Sequence, residues 1–116
     1  MNVQADLPNG IDGALRIAVS ERGPVTTVGL EGEWGLAEKE ATREAFRRAL
    51  AREPDRLILD LSRLSFIDST GIHTMVELVR RAADLSVRLT IVPGARAVQR
   101  IFEICQLAER LTTTGA

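Results

Sequence analysis

The chain has 116 residues, enough for one domain and too few for a second. Its residues are 45% apolar and 27% charged, which supports a real core under a polar surface, built from Leu, Ile, Val and Ala because only three Phe, one Trp and no Tyr are present. A formal net charge of −1 offers no electrostatic footing for nucleic acid or an anionic membrane; Cys105 is alone, excluding an intrachain disulfide, and with His73 the single histidine any metal site would rest on carboxylates.

Residues 1–13, carrying Asn, Asp, Pro and Gly without periodicity, read as a loose arm ahead of a domain at 14–111, with 112–116 a frayed tail. The opening MNVQADLPNG lacks a signal-peptide apolar segment, and no apolar run reaches membrane-spanning length, so the expected setting is cytoplasmic. From Leu15 the alternation through Ile17 and Val19 predicts a half-buried strand. SERGP turns the chain into a second strand, VTTVGLEG, antiparallel to the first.

Leu36 to Glu53 carries a helical stripe of Ala41, Ala45, Phe46, Ala49 and Leu50, with Glu40–Arg43 and Glu44–Arg48 spaced to pair, and Pro54 stops it. LILDL at 57–61 has the length and apolar density of a strand covered on both faces. A second helix runs from Ser69 to about Asp84, burying Ile72, Met75, Val76, Val79 and Ala83. VRLTIV at 87–92 is a further strand, and a last helix from about Ala95 buries Val98, Ile101, Phe102 and Cys105, with Leu107 and Leu111 closing the core. The order ββαβαβα predicts an α/β domain with a mixed, mostly parallel sheet of about four strands, joined by right-handed crossovers.

The junction FIDSTGIHTM at 66–75 concentrates the polar chemistry. Asp68 is a good helix N-cap, and Ile67 and Ile72 occupy the positions of a hydrophobic staple. Capping leaves Gly71 unexplained, since glycine in a first turn costs roughly 0.8–1 kcal/mol against alanine; either another molecule approaches there or the backbone packs tightly on the sheet. A hydroxyl in that turn lies at the working edge of an α/β sheet, beside free N–H groups and the positive helix end. Phosphorylation there would add about −1.5 to −2 charges to a surface patch without touching the core.

These residues, together with LEGEW, LILDLSRLSFIDSTGI and VRLTIVPGARAVQRIFEICQLAERL, resemble a stand-alone STAS domain of the anti-sigma factor antagonist type, over roughly Leu15 to Leu111. The resemblance implies a STAS-like fold and a partner switch without a cofactor of its own. The unphosphorylated antagonist binds an anti-sigma factor that is also a serine kinase, phosphorylation releases it, and a serine phosphatase resets it. Ser69 matches the phosphoacceptor position and Asp68 the preceding carboxylate, while Thr70 and Gly71 shape the contact and Glu33, Trp34 and His73 form its periphery. Gly35 stands where many relatives carry an aspartate near that serine.

Two other readings compete. A STAS scaffold would use the same surface with Ser69 unmodified. A hydrolase would use Ser69 and His73, four residues apart, but adjacent Asp68 is poorly placed to orient the imidazole and G-x-S-x-G is absent. Asp60 reads as a strand-end residue satisfying loop N–H groups, and Arg80 and Arg81 as a solvated helix face.

Overall fold

A computed structural model describes residues 2–3 and 15–94. The expected last helix with Cys105, and the tail, lie outside the described residues. Within them run β1 (Asn2–Val3), β2 (Leu15–Arg22), β3 (Val25–Trp34), a 3-10 turn (Leu36–Glu38), α1 (Lys39–Ala51), β4 (Arg56–Ile67), α2 (Ser69–Asp84) and β5 (Arg88–Val92). The strands form one sheet in the order β1-β2-β3-β4-β5. The β1–β2 and β2–β3 pairs are antiparallel, and β3–β4 and β4–β5 are parallel. The mixed α/β architecture thus follows the sequence pattern. Two residues of the expected arm, Asn2 and Val3, add a short strand by pairing with Ser20 and Val19.

Alternation decides which sheet face is covered. Leu15 and Ile17 on β2, Val28 and Leu30 on β3, and Leu57, Leu59 and Leu61 on β4 are all buried in one cluster with Phe46 and Leu50 of α1 and Met75 and Leu78 of α2. Because β3, β4 and β5 are adjacent and parallel, right-handed crossovers put both helices on that same face. The two helices are also tied at their surface by the Arg43–Glu77 ion pair at 3.2 Å.

Pro54 ends α1 as expected, but the helix closes at Ala51, and Glu53 takes a left-handed backbone with φ 54°. The bounds of α2 are those read from the sequence, Ser69 to Asp84. β4 is the main departure in length: it continues six residues past Leu61, to Ile67. Its pairing with β3 slips between Gly29 and Glu31 and again between Gly32 and Glu33. At each slip β4 carries one extra residue, so its buried positions change spacing from 57, 59, 61 to 61, 64, 67. The freed groups are satisfied locally. Asp60 Oδ1 accepts the Ser62 N–H at 2.9 Å, and the Ser65 hydroxyl donates to the Gly32 carbonyl at 3.0 Å. Asp60 is therefore a mid-strand residue serving a bulge, not one ending a strand.

Candidate functional site

The two bulges steer the end of β4. Without them, strict alternation would not bury both Leu64 and Ile67 while turning Phe66 outward. Ile67 enters the core and Phe66 remains 48% exposed beside Glu33 on the sheet face opposite α1 and α2. The next residue, Asp68, is extended, and its side chain accepts the Gly71 N–H at 2.9 Å. Its carbonyl accepts the Ile72 N–H at 3.0 Å, and its own N–H donates to the Trp34 carbonyl at 3.1 Å. The N-cap read from the sequence is present, and the end of β3 anchors it.

Ser69 is exposed on the first turn of α2, while Thr70 is half-buried and its carbonyl accepts the Thr74 hydroxyl at 3.0 Å. His73 is exposed one turn further along, and Glu33 is exposed at the end of β3. The structure therefore gathers Asp68, Ser69, Thr70 and His73 on one helix start, with Glu33 reaching the same edge of the sheet from β3. No Ser–His–Asp relay connects them among the described residues, because the Asp68 carboxylate is committed to the Gly71 amide.

Two expected contact residues are placed otherwise. Trp34 is 0% exposed, so the expected partner contact is corrected: its ring is a core element. It stands edge-on to Phe46 with centroids 5.9 Å apart, and its Nε1–H donates to the Thr42 hydroxyl oxygen at 3.3 Å. Its inward direction is the one plain alternation gives β3, which buries Thr26, Val28, Leu30 and, on the same face, Trp34. Gly71 is likewise buried and offers no surface to a partner. A Cβ there would lie 2.7 Å from Ile67 Cγ1 and 2.8 Å from the Trp34 carbonyl oxygen. Tight packing on the sheet, not the approach of another molecule, demands this glycine.

Three residues join the site that the sequence did not mark. Leu36 is 69% exposed immediately after Gly35, and Phe66 is exposed two residues before Asp68. Both are large apolar groups at the rim. Their signal lay in position: Leu36 precedes a polar run, and Phe66 falls out of step with the buried leucines. Glu38 is buried, and its Oε1 accepts the Gly35 N–H at 2.9 Å, closing the turn between β3 and α1. The site thus combines two exposed apolar side chains, an exposed hydroxyl and acidic neighbours. Among the described residues, concave clefts lie elsewhere. One of about 790 Å³ sits among the strand starts and helix ends near Pro54 and Ser86, and one of about 360 Å³ on the open sheet face near Gly29 and Asp60.

The comparisons agree with this architecture. The STAS domain family model matches residues 16–115. An anti-sigma factor antagonist from Mycobacterium paratuberculosis superposes with a TM-score of 0.78 at 20% identity, covering 92% of this chain and 87% of that one. The anti-sigma factor antagonist SpoIIAA in its unphosphorylated form gives 0.70 at 20% identity, covering 80% and 83%. The Bacillus cell fate determinant SpoIIAA in its phosphorylated form gives 0.65 at 19% identity, covering 80% and 86%. No curated protein sequence matches the chain. At such identities the superpositions speak for the fold. None of the described helices is long and apolar enough to cross a membrane.

Proposed function

The chain belongs to the STAS domain family, and from that premise we propose that it is an anti-sigma factor antagonist, a cytoplasmic protein-interaction switch with Ser69 as phosphoacceptor. Unphosphorylated, it binds an anti-sigma factor of the serine-kinase type; phosphate on Ser69 releases that partner, and a protein serine phosphatase restores binding. ATP belongs to the partner, and this chain does no chemistry of its own.

One observation carries the reading: Ser69 is exposed in the first turn of α2, whereas the following Gly71 and Ile72 are buried. A phosphate can be added there without entering the core. The half-buried setting of Thr70 favours Ser69 as the acceptor. The added charge lies next to the Asp68 carboxylate and close to apolar side chains. A partner packed on Leu36 and Phe66 would have to desolvate it, which weakens binding by about 1–3 kcal/mol.

The test is a pull-down from native cytosol with wild type, Ser69→Ala and Ser69→Asp, followed by mass spectrometry. A kinase-like anti-sigma factor should be retained by wild type and Ser69→Ala and lost with Ser69→Asp, with phosphate on Ser69 in a fraction of the wild type. Gly35, standing where many relatives carry an acid, favours a second reading: a constitutive STAS scaffold. That reading predicts the same partners for all three variants and no phosphate on residue 69.

A further inference from the structure

Gly35 has an extended backbone, φ −140° and ψ −158°, that any residue adopts, so its conformation does not call for glycine. Its surroundings do. A Cβ at this position would lie 2.8 Å from Asp68 Oδ2 and 3.3 Å from Asp68 Cγ. The other carboxylate oxygen, Oδ1, holds the Gly71 N–H at 2.9 Å. The carboxylate is therefore wedged between the bare Cα of residue 35 and the first turn of α2. Gly35 is itself fixed, its N–H donating to Glu38 Oε1 at 2.9 Å.

We infer that Gly35 is a positioning residue for the switch: by leaving room for the Asp68 carboxylate it keeps the Gly71 amide occupied and so forces a phosphate on Ser69 outward, toward the partner. The functional half of this inference rests on the phospho-switch reading; the geometric half does not. Two negative groups cannot share one amide in a first turn, and Asp68 is already there, closed in by Gly35. Among the described residues, the Asp68 side chain bonds the Gly71 amide, and no backbone carbonyl outside α2 meets the Ser69 or Thr70 amides. A phosphate on Ser69 is left with those two donors, at the outer rim of the helix start.

The contact at residue 35 is with the free end of a side chain, so an added methyl moves the carboxylate and leaves the backbone in place. Gly35→Ala should therefore fold normally while pushing Asp68 off its cap. The Gly71 amide then becomes available, and a phosphate can turn inward onto it.

The experiment is amide NMR on wild type, Gly35→Ala, Asp68→Ala and the double variant Gly35→Ala/Asp68→Ser, each with serine or synthetically installed phosphoserine at 69. In the unphosphorylated proteins, Gly35→Ala and Asp68→Ala should both speed exchange of the Gly71 amide, by roughly five- to tenfold for the loss of one cap. Serine at 68 caps with a shorter side chain and should restore protection in the double variant. In the phosphoproteins, titration through the phosphate ionisation near pH 6 should give a hydrogen-bond shift at Ser69 and Thr70 in wild type, and at Gly71 as well in Gly35→Ala. The inference is overturned if Gly35→Ala leaves Gly71 exchange at the wild-type rate, or if the Gly71 amide already follows the phosphate in wild type. Neither outcome depends on whether a kinase partner is recovered in the pull-down, so the two readings fail separately.

Discussion

At the scale of single residues, two glycines flank the start of α2 for different reasons, and substitution should separate them. Adding a methyl at Gly71 drives it against the Trp34 carbonyl oxygen, which belongs to the backbone and cannot rotate away. Gly71→Ala should destabilise by about 1–3 kcal/mol through overpacking, outweighing the roughly 1 kcal/mol of helix propensity it gains. A denaturant midpoint equal to or above wild type would show that the packing around Trp34 is slack. The demand for a bare backbone at 71 was legible in the sequence, but its cause was not, because the neighbour that imposes it lies 37 positions away in the chain. Trp34 shares its face with Val28 and Leu30 by two-residue alternation, so its burial follows once the strand is known to continue two residues past Gly32, where the strand expected from sequence stopped. On the outer face of α1, Arg47 and Arg48 hold the Glu44 carboxyl well below its ordinary value, from 4.5 to about 2, mainly through hydrogen bonds. A depressed carboxylate contributes stability above its unfolded value and loses it as pH falls toward the folded one. Wild type should therefore lose stability relative to Glu44→Gln between pH 4.5 and about 2, and the difference should shrink in about 1 M salt because the pair is exposed. Parallel acid profiles of the two proteins would show that the pair is too solvated to matter.

At the scale of elements, α2 is the best-defined piece, and both of its ends have identifiable causes. Asp68 caps the start, and at the other end the Ser86 and Val87 N–H groups donate to the Ala83 and Ala82 carbonyls at 3.1 and 2.8 Å. That closure places Ser86 in the left-handed region, φ 58°, where glycine is at ease and serine is not. Ser86→Gly should raise stability by roughly 0.5–1 kcal/mol; a lower melting temperature would mean that the serine side chain makes an offsetting contact. The α2 bounds were readable because cap, apolar period and length agree within one segment. β4 was readable only to Leu61, since beyond it the sequence SRLSFI follows neither a two-residue nor a helical period. Its spacing of three reflects two bulges, which arise from pairing with β3 and leave no local mark. The brief β1 was equally invisible, two residues being too short to show alternation.

At the scale of the whole molecule, the sheet carries α1 and α2 on one face, and the parallel strands β3 and β4 bring their C-terminal ends to one edge. That edge holds the cap, the exposed hydroxyl of Ser69 and the rim of Leu36 and Phe66. The fold class and the capped start of α2 were legible because they follow from element order and from Asp68 ahead of an apolar helical period. The apolar rim was not, because the face Phe66 takes depends on the bulges of β4 and the exposure of Leu36 on the turn that follows β3. The core beneath the start of α2 contains Trp34, the protein's single tryptophan, so its emission should report whether modification at Ser69 would reach the interior. The central claim is that phosphate on Ser69 breaks an interface while leaving the domain intact. The most direct measurement is the Kd of the recovered anti-sigma factor for the wild-type chain and for the chain carrying phosphoserine at 69, with Trp34 emission followed in the same samples. A rise of about ten- to a hundredfold in Kd with unchanged free-protein emission is the expected result; equal Kd values for the two forms would contradict the switch.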